Sequence, residues 1–227
     1  MKLLYVDIET TPLVCLTWGM WQVDVAKLLE DFRILSVAYK WEGEPVKFIR
    51  THGNDRGITK KLHKLFSEAD IICAQNGDSF DIKKINARLA YWGFPPPPPY
   101  KTVDTLKILK RHFGLTRNSL DFVCQYFGIG KKTKHQGIDL WDACMRDPKA
   151  KEWKTLERYN KTDVILLWKL YQKLRPWHAQ HPHVGNTCPK CGSTQGQWRG
   201  TWWGRGVKYK RWGCNNCRKW SHTVIKT

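Results

Sequence analysis

Hydrophobic and polar positions along the chain change period several times, and each change marks an element. The run from Lys2 to Glu9 reads as a buried strand, and Arg33 to Trp41 and Pro45 to Arg50 read as two more, separated by the turn-like Glu42-Gly43-Glu44. Together they predict an opening meander. Gly57 to Ser67 has the spacing of an amphipathic helix, Asp70 to Gln75 that of a short buried strand, and Phe80 to Trp92 that of a second helix ending at Gly93. Five prolines from Pro95 to Pro99 force an extended segment. Thr102 to Leu106 predicts a strand, followed by helices over about Leu106 to Phe113, Ser119 to Phe127 and Lys149 to Leu174. Strands, then alternation, then helices describe an α/β domain over residues 1–175, with a mixed sheet flanked by helices. Residues 176–185 contain Pro176 and Pro182, show no periodicity and read as a linker; their three histidines, His178, His181 and His183, suit a solvated segment better than a metal site. No internal repeat is present.

Composition adds a second module. At 227 residues the chain has room for one medium and one very small domain, and 41% hydrophobic residues with 13 Trp suffice for a packed core. A net charge of +19 and a pI near 9.7 imply a polyanionic partner, without separating DNA from RNA. All 20 acids lie between Asp7 and Asp163, whereas residues 186–227 carry nine Lys or Arg and no acid. No apolar run is long enough to span a membrane, and Asp7 falls where a signal peptide needs its apolar stretch, so a soluble cytoplasmic protein is expected. By likeness alone, a phage or mobile element acting in a host's cytoplasm would be a natural source of so compact a pairing of modules. Cys15, Cys73, Cys124 and Cys144 lie in apolar surroundings and read as reduced structural thiols.

Three acidic clusters carry the candidate chemistry. Asp7 and Glu9, two apart on a strand, project from one face, which is costly on an apolar strand unless a cation sits there. Asn76-Gly77-Asp78-Ser79-Phe80-Asp81 joins a strand to a helix starting near Ser79; the turn brings Asn76 and Asp81 to the sheet end, with Phe80 expected to pack beneath and Asp78 to cap the helix. Tyr159 and Asp163 share one face of the long helix with Leu156, Val164, Leu166, Leu167 and Leu170, so that face looks inward and Asp163 needs an Arg or a metal.

In this order the clusters resemble the three motifs of the DEDD superfamily of exonucleases: Asp-x-Glu at a first strand's end, Asn-x-x-x-Phe-Asp before a helix, and Tyr-x-x-x-Asp in a late helix. The Tyr marks the Tyr-type subfamily. The second motif looks like the proofreading domains of family B DNA polymerases and their stand-alone relatives of the YprB type, as do Thr102-Val103-Asp104-Thr105-Leu106 and Ser119-Leu120-Asp121. The resemblance implies an RNase H-like fold and a 3'→5' exonuclease using two Mg or Mn ions, ions suited to converging carboxylates. By the same likeness Asp7 would bridge both ions, Glu9 and Asp163 would complete the first, Asp81 would support the second, and Tyr159 would orient the attacking water. Asp104 is expected to make a structural hydrogen bond and Asp121 to brace a helix. Asn76 and the basic loop of Lys131, Lys132 and Lys134 are candidates for contacts to the substrate strand.

Two Cys-x-x-Cys knuckles, Cys188/Cys191 and Cys214/Cys217, are separated by 22 residues, a spacing that fits a hairpin holding one structural zinc. About 40 residues cannot bury enough apolar surface unaided, and zinc supplies on the order of 10 kcal/mol. Arg199, Trp202, Trp203, Arg205, Lys208, Lys210 and Arg211 interleave aromatic and basic groups, as nucleic-acid binding requires. The sequence therefore predicts a DNA exonuclease with a zinc ribbon at 186–227. An RNase of the same fold, or an inert nucleic-acid-binding adaptor, are the alternatives.

Overall fold

The computed structural model describes residues 2–19, 21, 24–178, 188–204 and 206–224. The opening apolar run forms β1 (Leu3–Thr10), which leaves the core into an exposed hairpin, β2 (Val14–Thr17) and β3 (Val25–Glu30). The chain returns as β4 (Ile34–Trp41) and β5 (Lys47–Arg50), then crosses through α1 (Arg56–Glu68) to β6 (Ile71–Ala74) and through α2 (Asp81–Tyr91) to β7 (Lys101–Asp104). Four helices follow: α3 (Thr105–His112), α4 (Leu120–Tyr126), α5 (Ile138–Arg146) and α6 (Glu152–Leu174).

The sheet order is β5-β4-β1-β6-β7, antiparallel on the β4 and β5 side and parallel on the β6 and β7 side, so β1 is its middle strand. Side chains alternate along β1. Leu4, Val6 and Ile8 pack with Ile58, Leu62 and Phe66 of α1 and Ile85 and Leu89 of α2. Leu3 and Tyr5 pack on the opposite face with Leu167, Leu170 and Tyr171 of α6. Asp7 and Glu9 continue this second row, so the parity of one strand delivers both carboxylates to the α6 side.

Helix α6 buries Leu156, Tyr159, Asn160, Asp163, Val164, Leu167 and Leu170, a stripe spaced by three and four residues. Each fully buried leucine contributes about 2 kcal/mol, so the stripe holds the helix over the sheet and sets the height of its polar members. On the other face Asp55, fully buried, ties three elements together. It accepts from the Ile34 amide (2.9 Å), Trp92 Nε1 (2.8 Å), Arg88 Nε (2.7 Å) and Arg88 Nη2 (2.6 Å). Burial alone would raise the Asp55 pKa, but these donors hold it below the usual carboxylate range.

Two elements differ from the sequence expectation. The β2–β3 hairpin was not predicted because its apolar side chains, Leu16, Val25, Leu28 and Leu29 among them, are exposed and follow no buried face. Helix α5 was also missed. It opens at Gly137, φ +70°, and packs Leu140 and Cys144 against Trp153 and Leu156.

After α6 a short 3-10 turn over Arg175–Trp177 stays packed, with the Trp177 ring 5.3 Å from Phe113 and His178 Nδ1 3.0 Å from the Tyr171 hydroxyl. Most of the expected linker, including His181 and His183, lies outside the described residues. The C-terminal module is a three-stranded antiparallel sheet of β8 (Gly196–Gly204), β9 (Val207–Cys214) and β10 (Trp220–Val224), ordered β10-β9-β8. Its core is Trp212, packed with Cys188 and Cys214. A Cβ at Gly196 would lie 2.1 Å from the Trp212 ring, so only glycine lets the indole lie against β8. Among the described residues no helix is long and apolar enough to cross a membrane.

Candidate active site

The end of β1 and the middle of α6 bring carboxylate oxygens of Asp7, Glu9 and Asp163 within 4.8 Å of one another. Asn160, one turn before Asp163, donates through Nδ2 to Asp7 Oδ2 (2.6 Å) and to the Asp7 carbonyl (3.1 Å), and its Oδ1 accepts from Ser36 Oγ (3.2 Å). Trp141 of α5 donates its indole N–H to Glu9 Oε2 (3.1 Å). Sequence reasoning assigned neither residue a role. Asn160 had a signal, a polar side chain on the inward face of α6; Trp141 lies on the packed side of α5, a short amphipathic helix that was unforeseen.

Asp81 approaches from the other side as the first residue of α2. Its Oδ1 accepts from the Ile8 amide (3.1 Å), and it lies outside the tight group of three. The turn that carries it is specified locally. Asn76 adopts φ +62°, which asparagine tolerates, and a Cβ at Gly77 would fall 2.3 Å from Ala74 Cβ. Asp104 accepts from the Asn76 amide and the Leu106 amide, both at 2.9 Å, fastening the turn while capping α3, the structural part expected of it. Two expectations about this turn are corrected. Phe80 is 40% exposed, because the chain turns so that Asp81, at 3%, takes the buried position. Asp78 caps no helix; α2 begins after Phe80 without a side-chain cap, and Asp78 pairs with Lys107 Nζ at 2.6 Å. The Asn76 side chain is exposed.

Lys132, a candidate for contact with the substrate strand, faces the acid cluster. Asp121 accepts from its backbone amide (2.8 Å), and its Nζ reaches Asp163 Oδ2 (2.6 Å) and the Tyr159 hydroxyl (3.1 Å). Lys131 and Lys134 remain exposed. One ammonium cannot balance the acids around it. Burial, with Glu9, Asp81 and Asp163 nearby, raises the Asp7 pKa well above the carboxylate range. Burial and Asp163 push Glu9 up to about 8, and burial pushes Asp81 up to about 7. Burial raises Asp163 too, against the pull of Lys132. Burial would lower the Lys132 ammonium, yet Asp163 and Tyr159 hold it above its ordinary value. The Tyr159 phenol rises through burial and the neighbouring Asp163, so it stays protonated.

These residues fit a hard divalent cation. The donors are carboxylate oxygens, and Asp163 Oδ1 is buried with no hydrogen-bond partner. An aromatic group borders the acids: the His135 ring lies 4.9 Å from Trp141 and 4.8 Å from Tyr159, each edge-on.

In the C-terminal module Cys188, Cys191, Cys214 and Cys217 bring their sulfurs within 4.8 Å of one another, with Cys188 and Cys217 3.5 Å apart and Cys191 and Cys214 3.6 Å apart. Amides of Lys190 and Cys217 point at Cys188 Sγ (3.4 Å) and Cys214 Sγ (3.5 Å). The arrangement is compatible with a zinc ribbon. Of the interleaved side chains, Trp202 stacks on Tyr209 (4.6 Å), Trp203 is exposed beside Lys208, Lys210 lies over Trp198 and Arg211 over Trp220. Arg199 is exposed, and Arg205 lies outside the described residues.

A mixed sheet whose middle strand ends in paired carboxylates, answered by an Asp from a long final helix, defines an RNase H-like fold and points to nucleic-acid hydrolysis with divalent metal ions. The chain belongs to the RNase_H superfamily, whose family model matches residues 4–175. Among solved structures it is similar to the family B DNA polymerase from the hyperthermophilic archaeon Pyrobaculum calidifontis, with 22% identity and a TM-score of 0.59 over 77% of this chain. The match covers 24% of the polymerase, so the chain spans about a quarter of that protein's length. No curated protein matches the chain.

Proposed function

We propose that the chain is a metal-dependent 3'→5' exonuclease, acting on DNA in preference to RNA, and that its C-terminal module is a zinc ribbon that grips the substrate strand. The observation that carries this reading is the convergence of Asp7, Glu9 and Asp163, with Asp81 beside them, in a buried cluster that a single lysine leaves undercompensated. Such a cluster weakens a fold unless a cation answers it. Asp7, Glu9 and Asp163 would hold one ion, and Asp7 with Asp81 a second. When bound, a pair of Mg or Mn ions supplies an activated water and stabilises the leaving oxygen of a phosphodiester.

The chain's own groups supply the positioning. Asn160 fixes the Asp7 carboxylate and Trp141 fixes that of Glu9. Tyr159, its phenol protonated, orients the attacking water by hydrogen bonding rather than acting as a general base. The likeness of the three motifs to Tyr-type exonucleases supports the 3'→5' direction, and the likeness of the second motif to family B DNA polymerase proofreading domains supports DNA as substrate. The four-sulfur cluster supports zinc, and exposed Trp203 and Trp220 beside Lys208 and Arg211 support a nucleic-acid surface.

The test uses single- and double-stranded DNA and RNA labelled at the 5' end, with Mg or Mn. Shortening from the unlabelled 3' end of DNA, stopped by chelation, is the expected result. Release of the labelled 5' nucleotide as the first product, or cleavage that survives chelation, would overturn the proposal.

A further inference from the structure

The hairpin of β2 and β3 buries little of its own apolar surface. Every described residue from Leu16 to Glu30 is exposed, among them Leu16, Trp18, Trp21, Val25, Leu28 and Leu29, with Trp18 at 95%. A two-stranded hairpin is marginal in water by itself, and contiguous exposed apolar side chains mark a contact surface. One edge of β3 pairs with β2; the other carries no strand among the described residues, which leaves a row of backbone donors and acceptors open. Charge sets this surface apart from one that binds phosphate. Residues 13–32 hold three acids and one lysine in a chain of net charge +19, so a nucleic-acid backbone is repelled here. We infer that the open edge of β3 pairs antiparallel with β3 of a second copy of this chain, joining the two hairpins into one four-stranded sheet. The inference is independent of the nuclease reading.

Symmetry and charge together fix the register. In a two-fold antiparallel pair the axis stands perpendicular to the sheet and keeps each side chain on its own face. Directly opposed residues share a face, so the axis passes at one residue, which meets its own counterpart. An axis at Lys27 or Glu30 opposes like charges, and one at Val25, Ala26 or Leu28 opposes Lys27 to an apolar side chain. An axis at Leu29 opposes Leu29 to Leu29 and, on both sides of it, Lys27 of one copy to Asp31 of the other. Asp31 is exposed directly after β3 and is free to extend the strand. Glu30 then faces Leu28 across the pair, but its charge is already engaged by Arg33 of its own chain (3.1 Å). Each hairpin leaves the main sheet directly after Thr10, so the joined strands hold two acid clusters in one particle.

The test is sedimentation of the full chain at micromolar concentration, which should give twice the 26.7 kDa of one chain. A zero-length carbodiimide link should join Lys27 to Asp31. Within one chain the two are four residues apart, about 13 Å along an extended strand, too far for such a link, so it reports the pair between copies. Lys27→Asp, which opposes two acids on each side of the axis, should weaken association about tenfold or more. Combining Lys27→Asp with Asp31→Lys should restore it, which separates a lost contact from a lost fold. Leu29→Arg should break the pair at its axis. A wild-type protein that sediments as a single chain, or a dimer that is indifferent to both Lys27→Asp and Leu29→Arg, would overturn the inference. A single chain that loses DNA affinity on Trp18→Ala would give the surface to nucleic acid instead.

Discussion

Glu9→Gln removes one titratable carboxyl from the acid cluster at almost no change in shape, and the amide oxygen can still accept from Trp141 Nε1. The folded protein holds the Glu9 pKa near 8, against 4.5 for the unperturbed group. Between those values the folded state binds a proton that the unfolded chain does not. Stability without metal therefore falls as pH rises from about 4.5, and levels off above about 8. At pH 7 the penalty for keeping Glu9 buried is about 3 kcal/mol, which glutamine avoids. For a chain of this size that raises Tm by about 6–12 °C. Thermal unfolding followed by circular dichroism in EDTA should show this gain at pH 7 and almost none at pH 5, where Glu9 costs little. Adding Mg or Mn should then stabilise the wild-type protein more than the variant, which should be catalytically silent. A variant no more stable than wild type at pH 7 in EDTA, or a gain equal at both pH values, would refute the electrostatic account of the cluster.

Asp163→Ala should lower cleavage about a thousandfold or more, whereas Tyr159→Phe, which loses one hydrogen bond to the water, should lower it about tenfold; equal losses in single-turnover assays would contradict the proposed roles. Elemental analysis should find one zinc per chain, and Cys214→Ser should lose it. Ending the chain after His178, which keeps Trp177 on Phe113 and His178 on Tyr171, should preserve turnover at saturating substrate. That truncation should weaken binding and flatten the salt slope on single strands by about 0.7 for every phosphate the ribbon no longer neutralises, and an unchanged slope would reassign the ribbon to a protein partner. Asp55→Ala strands the mostly buried Arg88, the Trp92 indole N–H and the Ile34 amide, and should cost about 3–5 kcal/mol in urea titration without altering metal binding.

Much of this was legible in the sequence because it depends on local periods. Alternation along β1 put Asp7 and Glu9 on one face, the three-and-four spacing of α6 turned Tyr159 and Asp163 inward, and the two cysteine pairs marked the four-sulfur cluster. The hairpin was not legible, since it presents no regular buried face; α5 does present one, with Leu140, Trp141, Cys144 and Met145 at helical spacing, but it is only nine residues long and was not predicted. Without α5 there was no way to foresee that Trp141, 132 residues from Glu9, would hold that carboxylate. Nor does any local pattern separate Lys132 from Lys131 and Lys134. Only the packing of their loop against α6, with Asp121 gripping the Lys132 amide, sends one of three similar lysines into the acids and leaves its neighbours in water. Side-chain direction along one element follows from its own geometry, whereas the company a buried charge keeps is set by elements far away in the chain.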